Sequence, residues 1–232
     1  MERNTQMWLI GGFVLIIGIA VVAAAIASQG AQQSGTTNFV GTTAAAIDPS
    51  DHVKGDATSS VSVIEYGDFE CPACGAWEPA VEQIEAVYGN RVKFVFRNFP
   101  LSQLHPNAMI AAQAAEAAGL QGKYWEMHDL LYQKQNDWVN TPNDQVVTKN
   151  FDGYAQSLGL DVTKFNTDIN SDAVKARVQR DIASGNAAQV DHTPTFFVNL
   201  QQIQNPNSPQ QFAQILDQTL ASSSVSTSSA SH

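Results

Sequence analysis

The chain has 232 residues, of which 44% are hydrophobic, enough for one good core with appendages. Its 22 acidic and 12 basic residues give a formal net charge of −10, which excludes a nucleic-acid binder, because phosphate backbones select basic surfaces. The only two cysteines are Cys71 and Cys74, too few for a four-ligand structural zinc site.

Met7 to Ala27 carries no charge over 21 residues, long enough to cross a bilayer as a helix. A cleaved signal peptide is the competing reading, and Ala25-Ile26-Ala27 resembles a cleavage site. The run is longer than the about 7–15 residues of a signal-peptide core, however, and its basic flank is only Arg3 and the amino terminus. An uncleaved anchor is therefore expected over 7–27. Residues 1–6 fall in the cytoplasm and the domain outside, since no Lys or Arg follows Arg3 until Lys54. No cysteine follows the run, which excludes a lipoprotein. Residues 28–57 are rich in Gln, Gly, Ser, Thr and Ala and read as a flexible tether of roughly 30 Å.

The domain is expected over 58–220. Val61 to Tyr66 is short, β-branched and bounded by Gly67-Asp68, a strand. Ala76, Trp77, Ala80, Val81, Ile84 and Val87 then recur at helical spacing up to Gly89-Asn90. Pro72 falls at the first helical position, where its missing N–H is not needed, so Cys71 is the N-cap and Cys74 the third helical residue. An N-cap faces free N–H groups and the positive end of the helix. For a sulfur this favours the thiolate and lowers the pKa below the free value of about 8.5. Cys71 should therefore attack or be attacked, and Cys74 should resolve the mixed disulfide. A structural disulfide is the alternative, but a ring this small restrains little of the unfolded chain.

Arg91 to Arg97 alternates as a second strand, ended by Asn98-Phe99-Pro100-Leu101. From His105 to about Ala188 the pattern is helical. An alanine-rich helix reaches Gly119, a second runs from Lys123 to Gln135, and others open at Thr141-Pro142, Asp161 and Ser171. Strand character returns at Thr195 to Asn199, directly after His192-Thr193-Pro194, and a further short strand runs through Gln201 to Gln204. Ser208-Pro209-Gln210-Gln211 is a capping box opening a last helix to about Leu220, and residues 221–232 are expected to be disordered. No internal repeat is apparent.

Tyr66-Gly67-Asp68-Phe69-Glu70-Cys71-Pro72-Ala73-Cys74, Arg97-Asn98-Phe99-Pro100-Leu101, Gln121 to His128 and Thr193-Pro194-Thr195-Phe196-Phe197-Val198 together resemble the DsbA-like thiol-disulfide oxidoreductases of the thioredoxin superfamily. The resemblance implies a thioredoxin fold, an α/β architecture with a central mixed sheet flanked by helices and a helical insertion at about 105–188. It implies that Pro194 is cis and faces Cys71, that the Thr193 backbone pairs with an extended substrate, and that Pro72 and Ala73 border the substrate. It also implies that Glu65 lies beneath the disulfide and moves the proton of Cys74. No cofactor or metal is expected. The implied substrates are exported cysteine-containing proteins. The implied partner is a quinone-coupled membrane oxidase of the DsbB or VKOR kind, met by a catalytic domain on the outer side of a bacterial cell membrane.

This sequence departs from the pattern in three places. Ala73 stands where strongly oxidising members carry histidine. Glu70 adds a negative charge beside Cys71, which is expected to raise its pKa. Asn199-Leu200 replaces Asn-Gly, so the turn there must differ. His105 and His128 are expected to be structural, His192 to sit at the rim of the site, and Trp77 in the core or at the rim.

Overall fold

The computed structural model describes residues 39–139, 141 and 144–228. Its strands are β1 (Phe39–Thr43), β2 (His52–Gly55), β3 (Ser62–Gly67), β4 (Lys93–Asn98), β5 (Thr195–Val198) and β6 (Gln201–Ile203). Its helices are α1 (Pro72–Tyr88), α2 (Ala108–Gly119), α3 (Tyr124–Gln133), α4 (Gln135–Trp138), α5 (Asp144–Ser157), α6 (Val162–Asp168), α7 (Asp172–Ala187) and α8 (Pro209–Ser228).

The strands form one sheet in the order β1-β6-β5-β3-β4-β2. β3 is central, parallel to β4 and antiparallel to β5, and every one of its residues is buried. Strand alternation sends Val63 and Glu65 to one face and Ile64 and Tyr66 to the other. Val63 joins Phe94, Phe196 and Val198 in a core closed by Val81 and Ile84 of α1 and by Phe212 and Leu216 of α8. Ile64 and Tyr66 pack with Val95, Phe99, Val190 and Phe197 on the other side. Helices α2 to α7 build their own core around Met127, Leu131, Trp138, Phe151 and Phe165. The small side chains Ala111, Ala114, Ala115 and Ala118 of α2 are buried there, which lets neighbouring helices approach closely. Phe69, Cys71 and Cys74 belong to this third core, so the cysteines lie in the seam between sheet and helical block.

The expected flexible tether over 28–57 is corrected for residues 39–57. β1 pairs antiparallel with β6 on one edge of the sheet, and β2 pairs antiparallel with β4 on the other. A buried cation orders this polar segment, alongside the packing of Ala44, Ile47 and Val53 on the core. Arg97 on β4 makes a two-pronged ion pair with Asp51 (Nε to Oδ1 3.1 Å, Nη2 to Oδ2 2.9 Å) and donates to the carbonyls of Ala45 and Ala46. A buried guanidinium must be matched donor by donor, and the connection between β1 and β2 supplies most of the acceptors, with the hydroxyls of Tyr66 and Ser184 taking the rest. The domain thus includes residues well before 58. The C-terminal expectation is corrected too: α8 continues to Ser228 instead of ending at Leu220. The expected anchor over 7–27 and residues 229–232 lie outside the described residues; among those described, no helix is long and apolar enough to cross a membrane.

Local signals placed the other boundaries well. Asp161 accepts from the N–H of Lys164 and Ser171 from that of Val174. Asn199 and Leu200 both adopt positive φ (+49° and +68°) and form the two-residue turn between β5 and β6. The Asn199 side chain accepts from the Ser62 N–H at 2.9 Å, and the Asn199 N–H donates to the Ser62 carbonyl, fastening this turn to the start of β3.

Candidate active site

The loop between β3 and α1 is held from several sides. Asp68, fully buried, accepts from the N–H groups of Glu70 (2.8 Å) and Leu101 (2.9 Å) and pairs with His105 Nδ1 at 2.7 Å. Gln135 of α4 donates through Nε2 to the carbonyls of Phe69 (2.8 Å) and Cys71 (3.0 Å). Gly75 leaves room for that amide, since a Cβ there would come within 2.5 Å of Gln135 Oε1. His105 is therefore a strut of the loop. His128 is buried among Phe69, Phe96, Trp125 and Tyr132.

Cys71 is the N-cap of α1, in extended backbone conformation, and Pro72 is the first helical residue. Its sulfur lies 3.5 Å from the carbonyl oxygen of Thr193, and the Thr193–Pro194 peptide bond is cis. The Cys71 thiol is pushed down to about 5. The neighbouring Cys74 thiol contributes most, and Thr193 and the N–H groups of Cys74 and Ala73 add to it against the cost of burial. Cys74 is 1% exposed and its thiol is pushed well up by burial, by its hydrogen bond to Cys71 and by the charge of Glu65. The two thiols of one small ring are thus driven apart in acidity. A direct check is the thiolate absorbance of the reduced protein. It should titrate with a midpoint near 5 and be unchanged between pH 7 and 8; a midpoint above 8 would show that the helix end and Thr193 do not act on this sulfur.

Glu65 is buried on β3, on the face that meets α1, and its carboxyl is pushed up to about 8 by burial, then by the charges of Glu85 and Cys71. Glu70 corrects an expectation: its carboxylate turns away from Cys71 and accepts from the N–H and side-chain amide of Asn107, before α2. Adjacency in sequence did not give adjacency of charge. Pro72 and Ala73 are exposed beside the sulfur, while Thr193 and Pro194 are buried behind it. His192 is exposed and paired with Asp191, and half-buried Trp77 meets the Phe196 ring edge-on at 6.2 Å.

Two residues at the site went unnoticed in the sequence. Asn205 donates to the Pro194 carbonyl at 2.6 Å, a contact between distant loops that no local pattern announces. Glu78 is buried on α1, its carboxyl pushed up to about 9 by burial and by Glu65. Its spacing of four from Cys74 was a readable signal, since it places both on one helical face.

A thioredoxin family model matches residues 48–218. Among curated relatives, proteins named Na(+)/H(+) antiporter NhaA 1 from Salinispora arenicola and NhaA from Herminiimonas arsenicoxydans are 44% and 37% identical over 154 and 153 residues, 66% of this chain in both cases. The chain spans only 22% and 23% of those two proteins. A thioredoxin-like oxidoreductase from Silicibacter pomeroyi DSS-3 is 27% identical, with a TM-score of 0.62 over 74% of this chain and 93% of that one. BdbD from Bacillus subtilis (21% identical, TM-score 0.67) covers 79% of this chain and 99% of its own. Alpha-DsbA1 from Wolbachia pipientis (20% identical, TM-score 0.68) covers 78% and 96% respectively. With the family model matching well over half of its length, and solved thioredoxin-like and DsbA-type structures sharing its fold, the chain belongs to the thioredoxin family.

Proposed function

We propose that this protein is an extracytoplasmic thiol-disulfide oxidoreductase that introduces disulfides into exported proteins through Cys71 and Cys74, held to the membrane by residues 7–27. The observation that carries the reading is the asymmetry of the pair: an acidic Cys71 thiol at a helix N-cap opposite Thr193–Pro194, and a buried Cys74 thiol held in its neutral form. A stabilised thiolate favours the dithiol state, and that makes the disulfide state an oxidant.

The cycle starts from the Cys71–Cys74 disulfide. A substrate thiolate attacks Cys71 Sγ, the Cys71–Cys74 bond breaks, and Cys74 leaves with the electron pair. Glu65, carrying its proton at neutral pH, supplies that proton to Cys74. A second substrate thiolate then attacks the substrate sulfur of the mixed disulfide and expels Cys71 as a thiolate, a good leaving group because its pKa is low. Two electrons have passed from substrate to enzyme. Exposed Pro72 and Ala73 and the Thr193 backbone border the substrate strand. Reoxidation falls to a quinone-coupled membrane partner. Ion antiport is not part of this reading, because it names proteins of which this chain matches less than a quarter.

The test is the reduction potential of the pair, equilibrated against glutathione in the full chain. A value well above the glutathione couple is expected. A value near that of a cytosolic reductant would reverse the direction to a reductase, and failure to close the disulfide at any poise would remove the exchange reading.

A further inference from the structure

One turn below Cys74, the buried face of α1 meets α3 at a set of side chains that the thiol chemistry leaves unused. Glu78 contributes a carboxylate, His128 its Nδ1 and Asp129 a second carboxylate, and the three ligand atoms lie within 4.8 Å of one another. The Glu78 side chain is 7% exposed. Among the described residues it accepts no hydrogen bond, and it meets His128 Nδ1 at 3.8 Å. A carboxyl this little exposed and without a hydrogen-bond donor is costly and favours a partner of its own.

The neighbours narrow what that partner is. Lys54 is the nearby cation, but its ammonium is paired with Glu85 at 2.7 Å and lies over the Trp125 ring. The His128 ring is enclosed by aromatic side chains, and among the described residues its Nε2 has no hydrogen-bond partner. Its one polar direction is Nδ1, which faces Asp129 at 3.0 Å and Glu78 beyond it. In a tetrahedral zinc site with bonds of about 2.0–2.2 Å, ligand atoms stand about 3.4 Å apart, between the 3.0 and 3.8 Å from His128 Nδ1 to Asp129 and Glu78. Once Glu78 gives up its proton to make room for the ion, two carboxylates and a neutral imidazole bring the charge of −2 that a divalent cation cancels. Nitrogen and oxygen donors of this kind suit zinc and its neighbours rather than the soft monovalent copper that thiolates select. Asp129, 31% exposed at its side chain, leaves a path for the ion and a place for a water as fourth ligand.

We propose that Glu78, His128 and Asp129 form a binding site for a divalent cation of the zinc class, separate from the cysteines. The inference goes beyond thiol-disulfide exchange and stands or falls independently of it. The test uses the full chain with Cys71→Ser and Cys74→Ser, so that no thiol competes, stripped of metal and titrated with zinc chloride against a chromophoric chelator. Uptake of one equivalent per chain is expected, with Glu78→Gln and Asp129→Asn each weakening it at least tenfold. Glu78→Gln is also expected to melt no lower than its parent without metal and to lose the rise in melting temperature that zinc gives the parent. No saturable uptake, or a weakening of less than tenfold in either variant, overturns the site. Should Glu78→Gln fail to fold, Asp129→Asn at its part-exposed position decides the matter alone.

Discussion

Replacing Cys71 by serine is expected to lower the rate of oxidation of a dithiol peptide by at least about 10³-fold, because a hydroxyl can neither form nor leave a disulfide. Cys74→Ser should abolish turnover as completely but by another route. Cys71 keeps its thiol, though without the neighbour that lowers its pKa most, and still forms a mixed disulfide when offered an activated one, while the internal thiol that would release the adduct is gone. Peptide oxidation and mixed disulfides on a non-reducing gel, measured side by side, separate the two outcomes. Cys71→Ser should give neither product, and Cys74→Ser should accumulate the adduct. Full biological activity retained by a Cys71 variant that no longer oxidises the peptide would favour a thioredoxin-fold binding module. Circular dichroism should show both variants folded, since each exchange removes little volume.

Glu65→Gln is expected to stabilise the reduced protein at pH 7 by roughly 2–3 kcal/mol, an order-of-magnitude figure at 1.36 kcal/mol per pKa unit less a buried amide. The sign follows from linkage. The Glu65 carboxyl is held near 8 in the fold, above its ordinary value of 4.5, so the unfolded chain gives up its proton first. Native stability is therefore complete below about 4.5 and is lost as pH rises through 8. Glutamine removes that loss, so the gain should vanish at pH 4 and grow through neutrality. Urea unfolding at pH 4 and pH 7 reads it out, and an equal gain at both would show that Glu65 does not titrate in the fold. The same variant should slow reduction of the Cys71–Cys74 disulfide, since Cys74 would leave without a proton donor at hand.

Much of the site was legible because its signals are local. Pro72 after Cys71 announces an N-cap, and alternation in Val61–Tyr66 places Glu65 on the face of Val63, which meets α1. Asp161 and Ser171 announce helix starts. What escaped depends on partners far along the chain. β1 and β2 hold few large apolar residues, and their order comes from Arg97, β4 and β6, none of which their own composition reveals. Gln135 and Asn205 act through carbonyls of loops 66 and 11 residues away. Glu70 failed in the opposite sense. Its place beside Cys71 in sequence suggested a charge effect, yet the side chain leaves the loop toward Asn107, where a free backbone N–H attracts it.

The pairing of β1 with β6 sets an order of assembly. Phe39 finds its place opposite Ile203, so the first of the described strands has no neighbour until almost the whole domain exists. β2 is different, for its partner β4 follows within some 40 residues and Arg97 arrives with it to clasp Asp51. The β3–α1–β4 unit carrying both cysteines can therefore close early, edged by β2. The far side of the sheet waits for the Asn199-Leu200 turn, and β1 is stitched on last. Contacts of such long sequence separation are slow to form, and a nascent chain would display its reactive thiols before the opposite edge of its sheet is finished.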